Sequence, residues 1–310
     1  MSSITNIQYL WRKNTQIKNL SKVNNRSKEF IFPSGRQAIM HTLRCMKREN
    51  RVAVAEYSSQ CVVNAVAKYA TPIPVKEVIK NNINVDTIMV YEQWGWTFND
   101  NIIDEVLDKY NKVIFDCVET PDAHIRYKNM DSVIVSLSKC LGLKGGAILL
   151  EDGVLQRNVC ALNEHLGLDI ENSDHIHMIN SYLNTTSHIG DLSEVDILHE
   201  LEKETQDRCE NLKLFTNSLL SGNWSDWMFK AINNGCPAGI VPLFKGREIE
   251  QLQKIKIDIK ERLDIESEVY HFNWSGSPLV FDYRPCIAFP IHGGIVNMQD
   301  SIKVIENIKT

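Results

Sequence analysis

Between residues 34 and 152 the chain alternates short apolar runs with segments of helical periodicity. The runs are rich in β-branched residues and predict strands at 52–57, 73–75, 87–91, 112–117, 132–137 and 147–150. The intervening segments predict helices at 35–46 and 60–70 and a helical stripe that ends at Tyr110. Strands that are apolar on both faces and separated by helices are typical of a largely parallel sheet covered on both sides. We therefore predict an α/β fold with a mainly parallel sheet between helices.

The last third of the chain has a different pattern. A long helix predicted at 194–220 leads out of the sheet region. The segments after it are, in chain order, a strand at 239–244, a helix at 248–262, a strand at 286–290 and a helix at 300–308. These predict a small C-terminal α+β domain. We divide the chain into a large domain at 1–205, which begins with an N-terminal arm at 1–30, and a small domain at 206–310.

Composition narrows the class of protein. Of the 310 residues, 43% are hydrophobic and 24% are charged, which is typical of a globular protein. The net charge of −5 argues against a nucleic-acid-binding protein, which would carry a basic stripe. No apolar run is long enough to cross a bilayer, and the N-terminus lacks an apolar signal region, so we expect a cytoplasmic protein without a membrane partner.

The eight cysteines are scattered without C-x-x-C pairs, which indicates reduced thiols and no zinc site. His175 and His177 could form a metal pair, but no carboxylate or cysteine cluster completes it. A surface or polar-core role is the alternative, and we expect no metal.

Ser34, Gly35 and Arg36 stand where the first predicted helix begins. Ser34 suits the N-cap position. The free N–H groups of a helix start bind phosphate, and glycine lets an anion approach closely. An ordinary cap without a ligand is the alternative, so this segment becomes informative only together with others.

Two charged residues follow apolar runs at the sheet edge where ligands of parallel sheets bind. Asp116 ends one run, and a carboxylate there can pair with the protonated pyridine nitrogen that pyridoxal phosphate (PLP) needs as an electron sink. Lys139 follows another, and a desolvated lysine can attack a carbonyl. Ser136 could donate a hydrogen bond to phosphate. A capping aspartate and a solvated lysine are the alternatives.

The order of these residues favours a phosphate-bearing aldehyde cofactor. Lys139 comes 23 residues after Asp116 (139 − 116), and Gly142, Gly145 and Gly146 permit a tight loop beside it. Ser136 to Lys139 also fits the S-x-x-K pattern of serine acyl-enzymes. Those enzymes place the serine at a helix start and need a distant Lys-Thr-Gly strand, whereas the run before Lys139 is strand-like.

At these residues the chain resembles the DegT/DnrJ/EryC1/StrS aminotransferases, also called sugar-nucleotide aminotransferases. The resemblance runs from about Phe32 to the C-terminus. The segments that carry it are, in chain order, 32–38, 52–66, 71–75, 113–116, 135–139 with Gly145-Gly146, and 288–292. It implies PLP fold type I: a large domain with a seven-stranded type of sheet sandwiched by helices, and a small C-terminal domain.

The resemblance also implies roles for individual residues. Lys139 would hold PLP as a Schiff base and move protons during catalysis. Asp116 would pair with the protonated pyridine nitrogen of the cofactor. The phosphate and ring contacts would come from Gly35, Arg36, Ser59 and Ser136.

Two positions, Glu119 and Ser59, depart from the family pattern. Glu119 stands where the family has a Gln or His that bonds the phenolic oxygen of the cofactor. An ionised glutamate can only accept a hydrogen bond. Either Glu119 is protonated and donates, or its side chain turns away and another group serves. A register that is off by one residue, with Glu119 only capping a turn, is the remaining alternative. Ser59 stands at the ring-stacking position, where an aromatic residue is common.

The implied function is transfer of an amino group from an amino acid, glutamate by the resemblance, to a nucleotide-linked keto-sugar, as in surface-polysaccharide or antibiotic-sugar synthesis. A PLP lyase, dehydratase or desulfurase on the same fold is one alternative, and a non-catalytic PLP-fold binding protein is another. The resemblance also implies a homodimer. Trp94, Trp96 and Phe98 suit a buried subunit contact, and a core or substrate-facing position is the alternative.

Overall fold

The computed structural model describes residues 31–32, 34–142, 146–156, 194–295 and 297–308. The predictions for the arm at 1–30 and for the pair His175 and His177 therefore lie outside the described residues, as does Cys160.

A large mixed sheet forms the centre of the first part of the chain. Its strands, in chain order, are β1 (Ile31–Phe32), β2 (Arg51–Val54), β3 (Thr71–Pro74), β4 (Thr87–Tyr91), β5 (Lys112–Asp116), β6 (Ser132–Ser136), β7 (Ala147–Glu151) and β8 (Val154–Leu155). They lie in the order β1-β7-β6-β5-β4-β2-β3, and β8 pairs with β7. Strands β2 to β6 are parallel, while β1, β7 and β8 pair antiparallel at one side. The predicted α/β fold with a mainly parallel sheet is confirmed.

Helices cover both faces of this sheet because its strands are apolar on both faces. The helices, in chain order, are α1 (Gly35–Thr42), α2 (Gln60–Tyr69), α3 (Val75–Lys80), α4 (Asp100–Lys109), α5 (Ala123–Arg126) and α6 (Leu137–Leu141). On β5, Val113 and Phe115 pack into one core with α3 and α4, while Ile114 packs into the opposite core with α1 and α2. This period of two is the geometry of a strand. Polar groups are therefore confined to the strand ends.

The later part of the chain forms a second, smaller layer. It contains α7 (Glu194–Thr216), α8 (Asp226–Asn233), β9 (Ile240–Leu243), α9 (Ile249–Leu263), β10 (Glu268–Asn273), β11 (Tyr283–Pro290) and α10 (Met298–Glu306). The three strands form an antiparallel sheet in the order β10-β11-β9. The predicted small α+β part is present. Residue 205, where we placed the domain boundary, lies within α7, and the division at 205 stays a prediction.

Several predicted elements end earlier in the structure than their apolar runs. The first helix ends at Thr42 instead of residue 46, and the strand predicted at 132–137 ends at Ser136. Lys139 consequently lies on the short helix α6 and not at a strand end. The strand stops because Ser136 is the last residue paired with β7, opposite Ala147, and the chain then turns into one helical turn that ends at Gly142 with a φ of 68°.

Candidate active site

A cleft opens at the carboxyl ends of the parallel strands, where ligands of such sheets bind. Its empty volume, including the open mouth, is about 1190 Å³. All seven residues proposed from the sequence line it: Gly35, Arg36, Ser59, Asp116, Glu119, Ser136 and Lys139. The structure thus brings them together, although their roles toward a ligand stay predictions.

The start of α1 forms one wall of the cleft. Ser34 is its N-cap, as predicted, and its Oγ atom accepts a hydrogen bond from the N–H group of Gln37 at 3.4 Å. A Cβ atom on Gly35 would lie 3.3 Å from Cγ1 of Val118, so the glycine allows α1 to sit close to the end of β5. The first N–H groups of a helix have no partner within the helix. This wall therefore offers hydrogen-bond donors to an anion.

Asp116 is a buried carboxylate at the end of β5, and only 4% of it is exposed. Its Oδ1 atom has no hydrogen-bond partner among the described residues. Burial raises the pKa of Asp116 to about 6; the charge of Lys139 opposes this effect, and that of Glu119 adds to it. Such a carboxylate is suited to a cationic partner, because an opposite charge would offset the cost of burying it.

Lys139 reaches the cleft from α6 and contacts Glu119. Its Nζ atom donates a hydrogen bond to Oε1 of Glu119 at 3.0 Å. Burial by itself lowers the pKa of Lys139, but the charges of Glu119 and Asp116 more than offset this, and the net effect raises the pKa. Lys139 is therefore an ammonium at neutral pH before any ligand binds.

Glu119 accepts hydrogen bonds from three donors. Besides Lys139, the hydroxyl of Tyr91 donates to its Oε2 atom at 2.6 Å, and the N–H group of Trp94 donates to the same atom at 2.7 Å. Only 1% of Glu119 is exposed. A carboxyl group that receives three donors, one of them cationic, acts as a hydrogen-bond acceptor. Of the two states considered for Glu119, the protonated donor does not match this environment.

The hydroxyl groups in the cleft bond to their neighbours. Oγ of Ser136 lies 2.9 Å from Oγ of Ser138, and Oγ of Ser59 lies 2.8 Å from Sγ of Cys61. Ser136 stands at the N-cap position of α6, without a capping bond from its side chain. The serine of the S-x-x-K pattern therefore does stand at a helix start, although the apolar run before Lys139 predicted a strand there. Among the described residues, however, Ser136 makes no hydrogen bond to the Lys139 amine, which bonds to Glu119 instead.

Trp94 and Trp96 are buried within the chain and do not form an exposed subunit contact. Only 1% and 2% of them are exposed, and both pack in the core of the small layer. The backbone of Trp94 has a φ of 60°, and Gly95 follows with a φ of 82°. A Cβ atom on Gly95 would lie 2.7 Å from the carbonyl oxygen of Glu119, so this turn requires glycine. Phe98 is only partly buried and packs against a core of the large sheet.

Aromatic residues that were not among the seven proposed site residues also line the cleft. Tyr91 ends β4, and the rule that directs attention to strand ends could have found it. Tyr270 and Tyr283 come from β10 and β11 of the small sheet and line the same cleft. Tyr57 stands at its rim and packs on Tyr283, with ring centroids 4.4 Å apart. No sequence pattern places the small-sheet residues there, because they meet Lys139 only through tertiary packing.

The structure also places Arg284 and tests for a metal site among the described residues. Arg284 is exposed, pairs with Asp282 at 2.7 Å and does not line the cleft, so it is not placed to anchor a substrate carboxylate there. Within the described ranges, no group of three His, Cys, Asp or Glu residues is placed to hold a metal ion. None of the helices described is long and apolar enough to cross a bilayer.

Comparison with known proteins places the fold. Residues 17–228 match a family model described as "Putative PLP-dependent aminotransferase". No curated protein matches the sequence.

Similar solved structures include one described as "Putative sugar aminotransferase Spr1654" from Streptococcus pneumoniae in its PLP form. It is 13% identical with a TM-score of 0.59, and the match covers 99% of this chain and 98% of that one. A DegT/DnrJ/EryC1/StrS aminotransferase from Brucella abortus is 15% identical with a TM-score of 0.54 (89% and 84% covered). NtdA from Bacillus subtilis, solved with bound pyridoxamine phosphate (PMP), is 14% identical with a TM-score of 0.55 (89% and 73% covered).

At these identities the solved structures show the fold, which is that of PLP fold type I. The family model covers more than half of the chain and includes Gly35, Asp116 and Lys139. The chain therefore belongs to this family of PLP-dependent aminotransferases, and its cofactor is pyridoxal phosphate.

Proposed function

We propose that the protein transfers an amino group from glutamate to the carbonyl carbon of a nucleotide-linked keto-sugar. The observation that carries the proposal is the meeting of Asp116, Lys139 and the start of α1 in one cleft. The keto-sugar acceptor and the glutamate donor rest on the family resemblance of the sequence. The similar structure described as a sugar aminotransferase supports the acceptor.

The polar groups of the cleft fit PLP. Oδ1 of Asp116 is buried without a partner among the described residues, and a pyridinium N–H would satisfy it. The start of α1 with Gly35 and Arg36, together with the hydroxyl of Ser136, offers donors suited to a phosphate group. When bound, PLP supplies an electron sink for the charge that remains when a proton leaves the substrate.

Lys139 would hold the cofactor covalently between turnovers and act as a base when it is free. Its amine must first lose a proton, because its surroundings favour the ammonium form. Oε1 of Glu119, at 3.0 Å, accepts a hydrogen bond from this ammonium group and stabilises its charge. The hydroxyl of Tyr91 and the N–H group of Trp94 hold the carboxylate in place. These residues thus fix the position of the Lys139 amine at one side of the cleft and favour its protonated form.

The proposal is tested by a half-reaction with the purified PLP-loaded protein. Incubation with glutamate should convert the bound cofactor to PMP and release one equivalent of 2-oxoglutarate. A later addition of a nucleotide-linked keto-sugar should restore the PLP absorbance. Release of ammonia or sulfide instead would identify a lyase or desulfurase. Unchanged absorbance with every amino acid tried would identify a binding protein without transaminase activity.

Glu119→Gln should change how the protein holds the proton of the Lys139 nitrogen. The glutamate charge favours a protonated nitrogen, so its loss should lower the pH midpoint of the cofactor absorbance transition by about one unit or more. Absorbance of the holoprotein followed from about pH 5 to about pH 10 measures this midpoint.

Glu92→Gln is the matched control. Glu92 is a buried carboxyl group at the end of the neighbouring strand, and it accepts from Thr120 and Tyr127 without lining the cleft. Substitution of Glu92 should leave the pH midpoint of the cofactor absorbance transition unchanged. If Glu119→Gln behaves like this control, Glu119 has no part in holding the Lys139 proton.

The predicted homodimer remains part of this proposal. It rests on the family resemblance, since Trp94 and Trp96 are in the core and no longer argue for a subunit contact.

A further inference from the structure

Arg208 is a buried cation that the proposed function does not use. It lies on α7 with 0% of its surface exposed and does not line the cleft. Its Nε atom pairs with Oε1 of Glu204, one helical turn earlier, at 2.7 Å. Removing an arginine from water is costly unless its other donors are also satisfied. The acceptors of its other N–H groups therefore show which segments of the chain Arg208 joins.

Three further hydrogen bonds of Arg208 go to backbone carbonyls of the described residues. One terminal nitrogen donates to the carbonyl of Glu119 at 2.8 Å. The other donates to the carbonyls of Lys139 and Cys140, both at 3.3 Å. Arginine is suited to this because its donors point outward in a fixed planar fork. One guanidinium thus joins the loop after β5 to the helix α6.

These two segments carry the residues that meet inside the cleft. The side chains of Glu119 and Lys139 approach each other to 3.0 Å in the cleft, while Arg208, which does not line the cleft, bonds to the backbone carbonyls of both residues. The helix α6 has only five residues, and so short a helix has little stability of its own. The placement of Lys139 therefore depends on contacts from outside α6.

We propose that Arg208 is a positioning residue, which sets the Lys139 amine against the Glu119 carboxylate by holding the carbonyls of both residues. This rests on the proposed function only in that Lys139 holds PLP. The ionisable groups around the Lys139 amine are Asp116 at the end of β5, Glu119 in the loop that follows, Cys61 on α2, Tyr91 on β4 and Tyr270 on β10. Among these, Glu119 is the one whose backbone Arg208 holds directly.

The test uses Arg208→Lys in the PLP-loaded protein. Lysine keeps the charge beside Glu204, but its single ammonium cannot reproduce the planar fork that spans both segments. We expect the pH midpoint of the cofactor absorbance to fall by at least half of the shift seen in Glu119→Gln. In the Glu119→Gln background, Arg208→Lys should add no further shift, since the effect is transmitted through Glu119.

Arg126→Lys is the control for lost stability. Arg126 also pairs with an acid one turn away, Asp122 at 2.7 Å, and donates to the carbonyl of Gly235 at 3.0 Å, away from the cleft. Arg126→Lys should lower the midpoint of thermal unfolding without changing the pH midpoint of the cofactor absorbance. If Arg208→Lys fails to fold, the double variant Glu204→Gln, Arg208→Gln removes both buried charges together and should show the same shift.

The outcomes separate the inference from the proposed function. An unchanged pH midpoint in the folded Arg208 variants, an equal shift in Arg126→Lys, or an additive shift in the Glu119→Gln background would overturn the positioning role. A wild-type protein that carries PLP on Lys139 but transaminates nothing would overturn the proposed function and leave the positioning role standing.

Discussion

Lys139→Ala is expected to abolish covalent attachment of PLP and to slow turnover about a thousandfold or more, the order of effect for loss of a general base. The Lys139 amine is in the cleft with Asp116 and Glu119, and no other lysine of the described residues lines it. Borohydride treatment of the wild-type protein should fix a pyridoxyl group on the peptide that contains Lys139. Peptide mass spectrometry measures the site.

Two variants control this experiment. Lys139→Arg keeps a cation beside Glu119, but arginine does not lose its proton and cannot join the cofactor, so attachment should still be lost. Lys256→Ala removes a lysine from another Lys–Glu pair, with Glu268 at 2.7 Å, and should leave labelling unchanged. Label on another lysine, or none in PLP-saturated protein, would remove Lys139 from its proposed role.

Asp116→Asn is expected to slow turnover by on the order of a hundredfold or more while it stabilises the protein without cofactor. The catalytic loss follows because asparagine leaves the ring nitrogen without a charge partner, and such preorganised charges contribute several kcal/mol to catalysis (on the order of 3). The proton-abstraction rate of the holoprotein measures this effect. Turnover equal to wild type would place Asp116 outside the site.

The gain in stability follows from the raised pKa of Asp116, about 6 in the folded chain compared with 3.8 ordinarily. Between these values the folded protein binds more protons than the unfolded protein, so the stability of the cofactor-free protein falls as pH rises from about 4 through 6. At pH 7 this lowers the free energy of unfolding of the cofactor-free protein by on the order of 1–3 kcal/mol. Asparagine removes this loss, so denaturant unfolding should show Asp116→Asn to be more stable at pH 7. The difference should disappear near pH 4.

The strands of the large sheet were predictable because their signal is local. The run at 87–91 coincides with β4, and those before Asp116 and Lys139 were within a residue of their ends. The carboxylate and the lysine could then be placed at one sheet edge, since parallel strands end together. Lys139 itself was misplaced on a strand. The end of β6 is set by the last residue that pairs with β7, and the apolar run alone does not show which residue that is.

The sequence by itself determined the α/β fold, the family resemblance and the candidates Asp116 and Lys139, because hydrophobic periodicity and motif order are properties of neighbouring residues. Only the tertiary structure decided which groups meet those candidates. Tyr91 and Trp94 reach Glu119 across 28 and 25 positions of the chain, and Arg208 reaches it across 89. Such contacts form where helix α7 and the loops pack together, and the side chains that make them have no periodicity of their own. The hydrogen-bond partners of Glu119 and the burial of the tryptophans follow from that packing.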